Sequence, residues 1–207
     1  MTSDGATRLL LARHGQTEHN RLGIAQGQTD VPLEQQGLTQ ARALRNRLAD
    51  ERIDAIYSSD LARAYRTATT VADGHELAVT PVSAFRERSF GAFEGEPKHA
   101  LREAAVAAGK RYSEWRPPEG ETAADVAGRV RPALEAIVRD ASGETILVVA
   151  HGGVNRALVC SILAGDCTNA SRLSQENTCL NELRYDGEWS IRRINDVAHL
   201  ERIESLE

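Results

Sequence analysis

Cysteine is scarce in this chain of 207 residues, and long apolar runs are absent from it. The three cysteines, Cys160, Cys167 and Cys179, lack the spacing of a disulfide framework or a zinc ribbon. No run approaches the roughly 18 apolar residues that a membrane span needs, and the polar start, residues 1–8, does not resemble a secretory leader. We therefore expect a cytoplasmic protein with no membrane partner.

Lysine is also scarce: Lys98 and Lys110 are the only two, so 23 of the 25 basic residues are arginines. The 30 acidic residues give a formal net charge of −5, and the arginines are scattered along the chain. A nucleic-acid surface would concentrate positive charge in a patch or stripe, so no nucleic-acid partner is expected. The arginine excess either reflects codon usage or supplies planar guanidinium groups for oxyanion binding.

The overall composition is that of a globular protein, with 41% hydrophobic and 27% charged residues. No internal repeat, low-complexity tract or long linker divides the chain. A chain of this length can bury a good core as one domain and is short for two. We therefore predict a single domain over residues 1–207.

Hydrophobic periodicity predicts alternating strands and helices. Buried strands are predicted at 8–12, 54–57 and 144–150, helices at 38–48, 61–72, 123–140 and 152–163, and a hairpin at 183–189 around Asp186-Gly187. The helix at 61–72 follows the N-cap residues Ser58-Ser59-Asp60, and Thr122 with Asp125 forms a capping-box pattern. This order predicts an α/β fold: a mostly parallel central sheet, helices on both faces and an antiparallel edge hairpin near the C-terminus.

Polar residues interrupt the pattern where the strands end. His14, within Arg13-His14-Gly15, follows the first strand, and His151, followed by two glycines, follows the strongest one. The carboxyl ends of parallel strands share one edge of a sheet, so the two histidines can meet there. Arg63 falls in the first turn of a helix that begins at the same edge. Together with Arg13 and free helix amides, these groups predict a small cationic pocket, for which phosphate is the natural ligand.

The segments around these residues resemble the histidine phosphatase superfamily, also called phosphoglycerate mutase-like, with its Arg-His-Gly motif. The resembling blocks follow the family's order along nearly the whole chain: 10–20, 26–33 with Gly37, 58–64 with 67–68, 85–95, 120–122 and 148–153. One departure is His19, since the family commonly has tryptophan before the residue that corresponds to Asn20. The resemblance implies the same fold, with a small helical cap insertion at about 97–118.

The family's chemistry assigns roles to five residues of this sequence. The resemblance makes His14 the nucleophile that accepts the phosphoryl group. Arg13, Arg63 and a protonated His151 would neutralise the equatorial oxygens. Glu87 would protonate the leaving oxygen and then activate water, a role that calls for a pKa above the ordinary value of about 4.3 for glutamate.

The resemblance also suggests residues that bind phosphate or substrate: Asn20, Gln26, Gly27, Gly152 and Lys98. Within the cap insertion, basic and aromatic side chains are candidates for substrate specificity, although most of them could simply cover the core: Lys98, Arg102, Lys110, Arg111, Tyr112 and Trp115. We expect the partner to be a small phosphorylated metabolite such as a sugar phosphate or a phosphorylated acid. The sequence does not determine the oligomeric state, and a homodimer is one of the alternatives.

Other phosphatase chemistries lack their motifs here. The sequence has no Asp-x-Asp, no cysteine with arginine six residues later, no phosphate loop, no HExxH and no Gly-x-Ser-x-Gly. We therefore expect a metal-independent phosphatase that needs no cofactor. The alternative is a cofactor-dependent phosphoglycerate mutase, which Lys98 favours. The short stretch from Glu87 to His151, and Phe90 where mutases commonly have tyrosine, argue against it. A non-catalytic phosphate-binding protein is a remote third possibility.

Overall fold

A six-stranded sheet organises the computed structural model, which describes residues 5–201. The strands are β1 (Thr7–Arg13), β2 (Ala55–Ser58), β3 (Val79–Pro81), β4 (Thr145–Ala150), β5 (Leu180–Tyr185) and β6 (Trp189–Asp196). The α-helices are α1 (Glu18–Leu22), α2 (Gln35–Leu48), α3 (Ala62–Ala72), α4 (Lys98–Ala107), α5 (Ala123–Asp140) and α6 (Gly152–Ala164). None of the helices within residues 5–201 has the length and apolar character needed to cross a membrane.

The strand order is β3-β2-β4-β1-β5-β6, with β1 to β4 parallel to one another and β5 and β6 antiparallel. This arrangement confirms the predicted fold class, including the edge hairpin. In the register of the two central strands, β1 and β4, Arg13 lies opposite Ala150. The next residue of each segment, His14 or His151, therefore leaves the sheet at the same level.

The two faces of the sheet carry separate hydrophobic clusters, because alternate residues of a strand point to opposite sides. On one face, Leu9 and Leu11 of β1 pack with α5 and α6. On the other, Leu10 and Ala12 pack with α2 and α3. Buried apolar layers on both faces explain the unbroken apolar runs of the two central strands, 9–12 in β1 and 146–150 in β4. The single domain over residues 1–207 stays a prediction, because residues 1–4 and 202–207 lie outside the described range. Residues 1–4 are part of the polar start.

Several local predictions need correction. The short strand β3 and the five-residue helix α1 were not predicted, because such short elements carry little periodicity. Helix α2 begins at Gln35 and so includes Gly37. Thr122 and Asp125 do form the predicted capping box at the start of α5.

The predicted N-cap of α3 is wrong. The N-cap residue is Leu61, whose side chain makes no capping bond, and the carboxylate of Asp60 instead pairs with Arg86 at 2.7 Å. Asp30, from a distant loop, accepts a hydrogen bond from the Ala62 amide at 2.8 Å. A tertiary contact thus replaces the local cap, and short-range sequence rules cannot detect it.

The cap segment consists of α4 and the turns that follow it. Trp115 is buried there with Leu101 and Ala105, and its ring lies edge-on to Phe93 at 5.3 Å between centroids. It does not line the active-site cavity described below. Of the two alternatives for this candidate, Trp115 therefore fulfils the second: it covers the core of the cap, where its large apolar surface packs.

Candidate active site

The two histidines at the ends of β1 and β4 lie side by side, with ring centroids 5.1 Å apart. Both are buried. The ring of His14 is oriented by a 2.6 Å hydrogen bond between its Nδ1 and the carbonyl oxygen of Gly15. A carbonyl can only accept, so Nδ1 carries the proton and Nε2 has the free lone pair. The geometry thus presents Nε2 as a nucleophile.

The close passage of the chain past His14 depends on two glycines. A Cβ atom on Gly15 would overlap the carbonyl oxygen of Gly37 in α2, and one on Gly37 would overlap the carbonyl of Gln16. The amide of Gly15 donates to Thr67 Oγ1 at 3.1 Å. The absence of side chains at both positions lets the loop after β1 lie directly on α2.

Burial lowers the pKa values of both histidines well below the ordinary value of 6.5. The second largest cause of the lowered pKa of each ring is the positive charge of Arg63. Both rings are therefore neutral at pH 7 in the ligand-free protein. The predicted proton on His151 concerns the site with a phosphoryl group bound and stays a prediction.

These depressed pKa values predict a pH-dependent stability. The unfolded chain binds protons at the two histidines as the pH falls below about 6.5, and the folded chain does not, so the free energy of unfolding decreases. Each such histidine contributes up to about 1.4 kcal/mol per pH unit in that range. Urea unfolding near pH 7.5 and near pH 5.5 should show a smaller loss for His151→Gln than for the wild type. The exposed His99 provides the control variant His99→Gln, and identical losses for all three proteins would contradict the prediction.

Two arginines flank the histidines and have unused donors. Arg63 is fully buried, and its terminal nitrogens donate to the carbonyls of Gly27 at 2.8 Å and Thr29 at 2.9 Å. Arg13 donates from Nη1 to the carbonyl of Gln175. The Nε atoms of both arginines are buried without a partner in residues 5–201, as are both ring nitrogens of His151. Because unpaired buried donors are costly, a cluster of them marks the place of an anionic ligand.

Neutral donors lie at the same edge. His151 is the N-cap of α6, which leaves the amide of Gly152 in the first turn, where anions bind well. Asn20 uses its Oδ1 to accept from Thr17 and from Asn177, so its amide nitrogen is left to donate. The predicted residues Gln26, Gly27 and Lys98 also line the cavity. The structure thus brings all ten predicted site residues together.

Glu87 lies between the cap and the start of α6. Its carboxylate accepts from the amide of Gly153 at 3.1 Å and from that of Arg88 at 2.8 Å. Its own carbonyl accepts from Arg129 at 2.9 Å, and Arg129 is paired with Glu121 at 2.8 Å. The carboxylate is therefore held at the cavity wall rather than free on an exposed loop.

The sequence interpretation missed the residues that support this frame. Arg88 is buried and donates to the carbonyls of Glu121, Tyr112 and Trp115, which ties the cap to the sheet edge. Asn177 donates to the carbonyl of His14 at 3.0 Å. Their partners are main-chain carbonyls far away in sequence, which no local pattern specifies.

A cavity of ≈ 770 Å³ is lined by His14 and by Gly152, the residue after His151. Nine of its lining residues are basic and one, Glu87, is acidic. The metabolite-sized volume and this charge imbalance, in a chain of net charge −5, suit a small anionic ligand.

The model of the histidine phosphatase superfamily (branch 1) matches residues 9–197. The chain belongs to this superfamily. The resemblance predicted from the motifs is therefore confirmed. A metal-independent phosphoserine phosphatase of Arabidopsis thaliana is 35% identical over 211 residues, which cover 97% of this chain and 86% of the relative.

Solved structures of the superfamily also match. A mycobacterial glucosyl-3-phosphoglycerate phosphatase, 31% identical, superposes with a TM-score of 0.83 over 92% of this chain and 99% of that one. A phosphoglycerate mutase from Bacillus anthracis, 26% identical, gives 0.84 over 99% and 100%. The family includes both phosphatases and mutases, and this chain is an enzyme that acts on phosphate monoesters.

Proposed function

We propose that this superfamily member hydrolyses small phosphomonoesters through a phosphohistidine on His14, as the sequence motifs suggested. The pair of buried histidines, 5.1 Å apart and flanked by the unpaired Nε atoms of Arg13 and Arg63, carries this proposal. The phosphatase names of the Arabidopsis and mycobacterial relatives support hydrolysis rather than transfer.

In the first step, the lone pair of His14 Nε2 attacks phosphorus as the bond from phosphorus to the ester oxygen breaks. Glu87 gives its proton to that oxygen, and the leaving group departs as an alcohol. Arg13, Arg63 and the amide of Gly152 hold the three equatorial oxygens as charge gathers on them. The bound dianion offsets the arginine charges and so favours a proton on His151, which then donates to the same oxygens.

In the second step, water attacks phosphorus. The Glu87 carboxylate takes a proton from the water, the bond from Nε2 to phosphorus breaks, and neutral His14 is restored with inorganic phosphate. The chain's own cations meet the phosphoryl charge in both steps, so EDTA should leave the rate unchanged. We place the reaction in the cytoplasm, where the buried free thiols Cys160, Cys167 and Cys179 stay reduced.

The proposal is tested by comparing hydrolysis with isomerisation. Phosphate release should be detected from p-nitrophenyl phosphate and from one or more members of a panel of sugar phosphates, phosphoamino acids and phosphoglycerates. With 3-phosphoglycerate and a bisphosphoglycerate primer, formation of 2-phosphoglycerate should be far slower than phosphate release. Isomerisation faster than hydrolysis would assign the chain to the mutases instead.

A further inference from the structure

The partly buried carboxylate of Glu94 does not line the cavity, yet it holds two separate segments of the chain together. Its Oε2 accepts from the amide of Thr29 at 2.9 Å and from the hydroxyl of the same residue at 2.8 Å. Its Oε1 accepts from the amides of Gln28 at 3.0 Å and Phe90 at 3.1 Å, and from the hydroxyl of Ser89 at 3.4 Å. Bonds to an ionised acceptor are the strong ones, so this carboxylate anchors both segments.

Segment 27–29 also holds Arg63. The terminal nitrogens of Arg63 donate to two carbonyls of this segment, at 2.8 and 2.9 Å. The carbonyl of Gly27 and the amide N–H of Gln28 belong to one peptide group. This peptide therefore donates to Glu94 at one end and accepts from Arg63 at the other. Hydrogen bonds in such a chain polarise and strengthen one another, here between an anion and a cation.

The contact between Glu94 and segment 27–29 leaves no room for a side chain at position 27. Gly27 has φ of 54°, in the left-handed region that favours glycine, and a Cβ atom there would overlap the carboxylate of Glu94. The charge of Glu94 also acts on the guanidinium. Burial lowers the pKa of Arg63, and Glu94 is among the carboxylates that oppose this shift.

We infer that Glu94 is a positioning residue for Arg63: through segment 27–29 it holds the guanidinium in the orientation that receives the phosphoryl oxygens. The inference rests on the proposed phosphatase function and adds to it a residue that does not touch the substrate. Arg63 Nε has no partner within residues 5–201, so the carbonyls that accept from the terminal nitrogens set its direction. Donors stabilise a transition state only where they point at the developing charge.

Glu94→Gln tests this inference, because it keeps the size of the side chain, removes its charge and replaces one acceptor oxygen with an NH₂ group. Calorimetry with inorganic phosphate should show a Kd raised about tenfold, a part of the roughly 10²- to 10³-fold that the loss of an oxyanion donor costs. The number of sites per chain should stay unchanged, and kcat/KM for p-nitrophenyl phosphate should fall by about the same factor as the affinity. Glu96→Gln, at an exposed glutamate two residues further on, is the matched control and should behave as the wild type.

A double substitution separates positioning from a general effect on the fold. Arg63→Lys keeps the positive charge but lacks the planar fork that meets both carbonyls. In this background Glu94→Gln should raise the Kd for phosphate by less than about threefold, because the group that Glu94 positions is gone. An equal change in both backgrounds would overturn the inference. A loss of sites per chain with an unchanged Kd would overturn it as well, since that result indicates partial unfolding.

Thr29→Val is a milder variant, and it carries the test if Glu94→Gln does not fold. It removes only the hydroxyl bond to Glu94, at an exposed position, and leaves the backbone bonds in place. The loss of one such bond should raise the Kd for phosphate by about twofold or more. An unchanged Kd in Thr29→Val would then count against the positioning role.

Binding also separates this inference from the proposed function. If the wild type binds phosphate and Glu94→Gln shows the expected loss of affinity, but no ester is hydrolysed, the hydrolytic function is wrong and the positioning role stands. If esters are hydrolysed and Glu94→Gln matches the wild type in Kd and kcat/KM, the reverse holds.

Discussion

Replacing His14 by alanine should abolish phosphate release from p-nitrophenyl phosphate, with a fall in kcat/KM of at least about 10³-fold. The reason is that Nε2 of His14 is the atom placed to form the covalent intermediate. We do not expect His151, 5.1 Å away between ring centroids, to replace it, because its proposed role is to donate a hydrogen bond to the phosphoryl oxygens and not to attack phosphorus.

The measurement combines steady-state rates with a second experiment, in which the reaction is stopped during turnover without the use of acid. The wild type should yield a phosphorylated peptide containing His14, labile to acid and stable to base, and His14→Ala should yield none. His99→Ala, at an exposed histidine of the cap helix α4, should keep wild-type activity and the labelled peptide. Substantial activity in His14→Ala would refute a phosphohistidine at this position.

The placement of the two histidines could be predicted from the sequence for a physical reason. Parallel strands align their carboxyl ends, so residues that follow the strands at 8–12 and 144–150 must come out together. The structure shows this register directly, with Arg13 opposite Ala150. Arg63 was predicted from the same rule, although its complete burial was not.

The rest of the site depends on contacts that join distant parts of the chain. Asp30 caps α3, Arg129 holds the backbone of Glu87, and Asn177 binds the carbonyl of His14. In each case a side chain meets a backbone group, and backbone groups are present at every position, so sequence patterns do not select a partner. Trp115 illustrates the same limit, since aromatic residues of a cap suit both a pocket and a core.

Glu87→Gln should slow the reactions of alkyl phosphates and aryl phosphates to different extents. A general acid contributes about 10² to 10⁴-fold, and this whole factor should be lost for an alkyl ester such as glycerol 3-phosphate. Nitrophenolate leaves without a proton, so formation of the phosphoenzyme from p-nitrophenyl phosphate should be slowed much less. The amide keeps the size of the side chain and can still accept from the amide of Gly153.

The second role of Glu87 then becomes visible in the same variant. With no carboxylate to accept a proton from water, the phosphohistidine should accumulate during turnover of p-nitrophenyl phosphate, giving a burst of nitrophenol followed by a slow steady state. Glu103→Gln, at an exposed glutamate of α4, serves as the control and should show no burst. Equal losses for both leaving groups without accumulated phosphoenzyme would mean that Glu87 only supports the start of α6, through its bond to Gly153. Glu87→Gln loses the charge of the carboxylate and the bond from the Arg88 amide but keeps the bond from the Gly153 amide. The difference between the two leaving groups, rather than the loss of activity itself, therefore distinguishes proton transfer from positioning.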